Sequence, residues 1–169
     1  TDHILGIDVN GVVRSLDMSD KAKAIDGIFI YRFNSPLTYF NSSFFKRRLL
    51  EHYARQKEDI ECVIIDAVPC FTHLDLSVMA MLADVDVIFK KRGIRLELAG
   101  RKRQLLSWFE QAGMKSGDSG IYIRSDLYLA LKMNQSKQAA DDVLHMQDAE
   151  ETDQGKLEQK QQVLSHSQI

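Results

Sequence analysis

The chain has 169 residues, a formal net charge of −2 and an apolar fraction of 44%. That is the size and composition of one globular domain, and so even a charge balance gives no reason to expect nucleic acid as a partner. No window approaches the eighteen or so uninterrupted apolar residues of a membrane helix, so the segment is expected to be soluble.

Leu5, Ile7 and Val9 alternate as a strand does, and Val12 and Val13 continue the pattern past an Asn10-Gly11 turn. Residues 17–23 are charged, and residues 1–24 are expected to be a linker that includes a first strand. Ile28–Phe33 is apolar at every position but Arg32, the pattern of a strand covered on both faces. Ser35-Pro36 breaks it. A helix is predicted from Asn41 to about Lys57, capped by one of Asn41, Ser42 and Ser43, with Phe45, Leu49 and Tyr53 inward and Phe44 and Leu50 beside them. Its basic run Lys46-Arg47-Arg48 reads as a solvated face, with anionic lipid headgroups as the alternative contact.

Cys62–Ile65 is an unbroken apolar run of strand length, which makes it a central strand, and Asp66 ends it. A loop from Ala67 to Leu74 follows. From Ser77 the apolar residues Val78, Met81, Leu82, Val85 and Ile88 recur at helical spacing, with Asp75 or Ser77 placed to cap the first turn. Asp84 and Asp86 read as the solvated side of this helix. Cys62 and Cys70 lack the paired spacing of a zinc site, so both are expected to be reduced thiols in a cytosolic setting. Gly93 is placed to end the helix, with Lys90, Lys91 and Arg92 at its negative pole.

Ile94, Leu96 and Leu98 alternate with Arg95 and Glu97, which predicts a strand with one apolar and one wet face, nearer the margin of the sheet or where helices cover only one side. A third helix is predicted from Arg101 to Ala112, with Leu105, Leu106, Trp108 and Phe109 toward the core. Arg101, Lys102 and Arg103 have the wrong sign for the positive end of a helix dipole, a conflict that a bound phosphate, sulfate or lipid headgroup would resolve. A last short strand is expected at Ile121–Ile123, and Ser125 is placed to cap a helix in which Leu127, Ala130 and Leu131 share a face. Residues 134–169 are rich in Gln, Asp, Glu and Ser and hold no aromatic residue, so disorder or a frayed helix is expected there. The alternation of strands and helices predicts an α/β fold, a mixed sheet with right-handed crossovers.

Several of these stretches resemble the STAS domains shared by anti-sigma-factor antagonists and the cytoplasmic tails of SulP (SLC26-like) anion transporters. The signature of strand, loop and helix is carried by Val63 to Asp66, Phe71, Asp75, Ser77 and Leu82. The run Gly27-Ile28-Phe29-Ile30-Tyr31-Arg32-Phe33, with Pro36-Leu37 and Phe40-Asn41, is similar to a segment of the transporter tails. Arg92-Gly93-Ile94, Leu98-Ala99-Gly100, Leu106 and Ala112-Gly113 extend the match. The resemblance implies a STAS-type mixed sheet over residues 25–133. It further implies a non-catalytic regulatory domain of a bacterial secondary transporter for sulfate, bicarbonate or a dicarboxylate, held at the cytoplasmic face of the inner membrane. Residues 1–24 would then follow a membrane domain that the sequence does not contain.

The partners implied are that membrane domain, a second copy of the domain, and a cytosolic protein or nucleotide regulator. The contact surface is expected in the loop Phe71, Thr72, His73, Asp75, Leu76 and Ser77, since loops on a rigid scaffold are where binding residues concentrate. In the antagonists a phosphorylated hydroxyl directly follows the loop aspartate. Here that residue is Leu76, and Ser77 is expected to serve as a helix cap. A free-standing antagonist-like module and a nucleotide-binding domain are the alternatives. A catalytic reading would take His73 and Asp75 with Cys70 or Ser77 as nucleophile, but the sequence offers no oriented base and no oxyanion donors. No catalytic residue, cofactor or metal ligand is assigned.

Overall fold

The computed structural model describes the backbone of residues 1–166, and their side chains apart from 136–142, 145, 148, 149 and 166. It divides into two compact units, Thr1–Ala130 and Leu131–Ile169. The first is built on a six-stranded sheet in the order β2-β1-β3-β4-β5-β6. Its strands are β1 (Asp2–Ile7), β2 (Val13–Ser15), β3 (Ile28–Phe33), β4 (Cys62–Asp66), β5 (Arg95–Ala99) and β6 (Tyr122–Arg124). β1 is antiparallel to both its neighbours, and β3 to β6 run parallel.

Each parallel pair is joined by a helix: α1 (Ser42–Ala54), α2 (Leu76–Lys91) and α3 (Lys102–Gln111). Every residue of β4 is buried, as a strand covered on both faces must be. One face of the sheet presents Phe29, Tyr31, Phe33, Val63, Ile65, Leu96, Leu98 and Ile123 to one core with Phe45 and Leu49 of α1, Leu82, Val85 and Phe89 of α2, and Leu105 and Phe109 of α3. Leu106, expected in that core, is 41% exposed. Leu105 and Phe109, at i and i+4, form a stripe too narrow to include it.

Residues 1–24 contribute β1 and β2 to the sheet. Asp8 shapes their turn: its Oδ1 accepts from the backbone N–H of Asn10 and Val12, and its Oδ2 from Arg14 Nε at 2.7 Å. Two expected caps are corrected. Asp126, not Ser125, accepts the Leu129 N–H at the start of α4 (Leu127–His166). At α1, Asn41 caps nothing; its side chain folds back to accept from Thr38 N–H and donate to the Pro36 carbonyl.

Leu127, Ala130 and Leu131 are buried as their shared face predicts. The segment from 134 onward is helical through His166 where disorder or a frayed helix is expected, and residues 167–169 lie outside the described residues. It contains no proline and many Ala, Gln, Glu, Lys and Leu residues, all strong helix formers. Its described side chains past Asn134 are exposed. No helix among the described residues is long and apolar enough to cross a membrane.

Candidate functional site

The predicted contact loop lies where β4 hands over to α2, and Asp75 organises it. Its Oδ1 accepts from Ser77 N–H at 2.9 Å and Val78 N–H at 3.2 Å, capping the helix. Its Oδ2 accepts from Tyr39 N–H at 2.9 Å, across to the loop between β3 and α1. A second tie, from Leu37 N–H to the Cys70 carbonyl at 2.8 Å, makes the two loops one surface. Ser77 is therefore not the cap: its backbone N–H is what the cap receives, and its side chain is exposed. Leu76 follows Asp75 at 65% exposure.

The base of the loop is pinned by charge. Arg32 Nε donates to Asp66 Oδ2 at 2.8 Å across β3 and β4, and Asp66 Oδ1 accepts from Val68 N–H. Phe71 is buried under the loop, whereas Thr72 and His73 are exposed and hydrogen-bonded to each other. Cys70 is buried, and its thiol donates to the Asp66 carbonyl. Burial, with the Asp66 charge nearby, pushes that thiol well above the ordinary cysteine range, so it is protonated and poorly nucleophilic. Among the described residues no cluster of three or more His, Cys, Asp and Glu side chains has the placement to hold a metal ion.

The three basic residues at the start of α3 are not equivalent. Arg101 sits in the left-handed region, φ 52°, directly after Gly100, φ 98°. Its Nε donates to the Val68 carbonyl at 2.8 Å, bracing α3 against the loop after β4. Lys102 and Arg103 are exposed. A Cβ on Gly100 would stand 2.6 Å from Val68 Cγ2, so this residue provides both the dihedral and the close approach.

Two sequence expectations are corrected on buried acids. Glu97, expected on a wet face, is fully buried: its Oε2 accepts from Arg95 Nε at 2.9 Å and Cys62 Sγ at 3.2 Å, and its Oε1 from Arg124 Nε at 2.6 Å. β6 supplies Arg124 and thereby covers what would otherwise be a sheet margin. Asp86, expected in solvent, is 9% exposed and takes Lys90 Nζ at 2.7 Å. Sequence reasoning also missed the most exposed aromatic residues, Tyr39 at 67% and Phe40 at 92%. The signal lay in the sequence, since two aromatics directly between a Pro-Leu break and a helix start have no periodic face to join.

A family model described as the STAS domain matches residues 21–124. A probable sulfate transporter of Mycobacterium tuberculosis is 27% identical over 126 residues, 72% of this chain and 22% of the relative. The probable sulfate transporter 4.2 of Arabidopsis thaliana is 29% identical over 112 residues, 61% of this chain and 16% of the relative. The chain thus spans about a fifth of the length of the curated relatives it matches. The murine anion transporter Slc26a9, in its inward-facing state, has a similar fold, with a TM-score of 0.71 at 18% identity over 80% of this chain and 22% of that one. A sheet of this order, its crossover helices and a family match over most of the first unit agree: the chain belongs to the STAS domain family.

Proposed function

We propose that this chain is the cytoplasmic regulatory domain of a SulP-type secondary anion transporter, and that it acts by binding and without chemistry of its own. The observation that carries the reading is the match to a probable sulfate transporter across 126 residues, 72% of this chain. Sulfate, bicarbonate and a dicarboxylate are the anion classes in question. The geometry at Leu76 supports a contact surface over a phosphoswitch. An apolar side chain, 65% exposed, occupies the position where the switch needs a hydroxyl. Phe71 to Ser77 would bind one state of the transporter more tightly than another, the only way a contact shifts a conformational equilibrium.

Two experiments test this. The reading frame that contains the chain should encode membrane-length apolar segments before Thr1, and a frame that codes for nothing there overturns the transporter reading. In that intact protein, Leu76→Asp should lower labelled anion uptake several-fold at unchanged membrane abundance; unaltered uptake overturns the contact surface. The exposed Ser77 hydroxyl, free of capping duty, favours one further reading, an antagonist-like module. Phosphate found on Ser77 by mass spectrometry after incubation with kinase and ATP would favour it.

A further inference from the structure

The parallel strands β3 to β6 all leave the sheet at one end, and α1, α2 and α3 all begin there. Charge differs between the two ends. At the strand exits, residues 34–48 hold Lys46, Arg47 and Arg48 and no acid, and residues 100–109 hold Arg101, Lys102 and Arg103 and no acid. Asp2 pairs with Arg48, and Asp126 is exposed just past β6, so the excess of cations there rests on Lys46, Arg47, Lys102 and Arg103. Residues 67–77 hold one acid, Asp75, and both its oxygens are taken by backbone N–H groups. At the strand entries, the exposed acids Asp26, Glu58, Asp59, Glu61 and Asp118 stand among the exposed cations Arg55, Lys57, Lys90, Lys91, Arg92 and Lys115, so that end is mixed. A chain whose net charge is only −2 therefore has a cationic rim, and the positive ends of three helix dipoles add to it.

The same rim carries the exposed aromatics. Tyr39 and Phe40 stand at the tip of the loop after β3, their rings edge to face at 5.5 Å. Phe44, one turn further, is 46% exposed with the Arg47 guanidinium over its ring. Arg47 is five residues into α1, about 7 Å along its axis, so its side chain can reach the level of the tip. We propose that this rim docks on an anionic lipid bilayer surface, with Tyr39 and Phe40 entering the interface and Arg47, Lys102 and Arg103 against the headgroups. Amphipathic aromatic rings favour the headgroup level of a bilayer, and clustered Lys and Arg are attracted to anionic leaflets. An acidic peptide would match the charge but would leave Phe40, at 92% exposure on a protruding tip, with no groove to fill.

The inference stands on the rim alone and does not require the transporter reading, because it is tested on the 169-residue chain in isolation. Co-sedimentation is measured with vesicles of phosphatidylcholine alone and of phosphatidylcholine mixed with phosphatidylglycerol at about three to one. The chain should partition to the mixed vesicles at about 0.1 M salt, release at about 0.5 M, and ignore the neutral ones. Tyr39→Ser with Phe40→Ser should weaken partition about tenfold. Arg47→Gln with Lys102→Gln and Arg103→Gln should weaken it further, at about fivefold per cation; Arg101 is spared because it braces the fold. Arg55→Gln with Lys57→Gln, at the opposite end, should leave it unchanged. No partition to anionic vesicles overturns the proposal. So does an unaltered aromatic variant, or an opposite-end variant that loses as much as the rim variant.

Discussion

Asp75 joins the capping of α2 to the placement of the loop before α1, so its removal should have two separable effects. Asp75→Ala deletes the acceptor for Ser77 and Val78 N–H, a cap worth about 1 kcal/mol, and the negative charge at the helix start, worth about 0.5 kcal/mol. It also frees Tyr39 N–H, an exposed bond to a charged acceptor that adds about 0.5 kcal/mol. The sum is about 2 kcal/mol, or a fall in melting temperature of about 5 °C for a domain of this size. Asp75→Ser restores a cap but cannot reach Tyr39, and Asp75→Asn keeps a capping carbonyl while setting an amide NH2 against the Tyr39 N–H. Both should cost about 1 kcal/mol. Urea unfolding at constant m-value measures the stabilities, and amide hydrogen exchange at Tyr39 reads the loop. The reasoning fails if Asp75→Ala lies within about 0.5 kcal/mol of the parent. It fails equally if Tyr39 keeps its protection in Asp75→Ser.

Three further outcomes follow from the same geometry. Glu97→Ala leaves Arg95 and Arg124 facing each other with only 20% and 18% of their side chains exposed, and should cost about 3 kcal/mol in urea unfolding. A double-mutant cycle with Arg124→Ala should show coupling above about 1 kcal/mol, and additive losses would contradict the cluster. Burial alone would raise the carboxyl of Asp2. Hydrogen bonds from Arg48 and Tyr31, with the charges of Arg48 and His52, outweigh that and hold it well below the usual carboxylate range. Its contribution to stability is thus full above the unfolded value of about 3.9 and is lost as pH falls toward the folded one. Asp2→Asn should flatten the acid limb of stability against pH, and a parallel limb would refute the assignment. Gly100→Ala should destabilise by about 2 kcal/mol through dihedral strain and contact with Val68, and Val68→Ala should restore only part of it.

The layout was legible because the central strand Cys62–Ile65 is apolar throughout, whereas the helix that follows it shows a stripe. That difference between Cys62–Ile65 and the run from Val78 to Ile88 identifies the crossover without tertiary information. What stayed hidden depended on partners distant in sequence. Glu97 alternates as a surface residue would, and only the pairing of Ala99 with Arg124 brings a second guanidinium over it. Asp75 was readable as a cap, since caps are local, but its second oxygen meets a residue 36 positions away. The exposed tip at Tyr39 and Phe40 was missed, Phe40 entering only through a sequence resemblance, because hydropathy alone assigns aromatic residues to a core.

The division of labour at the loop explains how one fold accommodates different residues after the aspartate. Asp75 caps the helix with one oxygen and holds the neighbouring loop with the other, so neither task falls to residue 76. At 65% exposure, that side chain is not required by the core. A hydroxyl there would accept a phosphate at the positive end of a helix, where two added charges are favoured and new partners can be recruited or refused. A leucine there cannot be switched in that way. It presents a permanent apolar contact to any surface that approaches, at a site the backbone already holds rigid. On the proposed contact-surface reading, control would come from the other side of the interface, through a partner that exposes its complementary surface in one state only. Leu76→Ser would restore a hydroxyl without disturbing the cap. Its stability in urea should therefore stay within about 0.5 kcal/mol of the parent, and a larger loss would mean that residue 76 supports the fold after all.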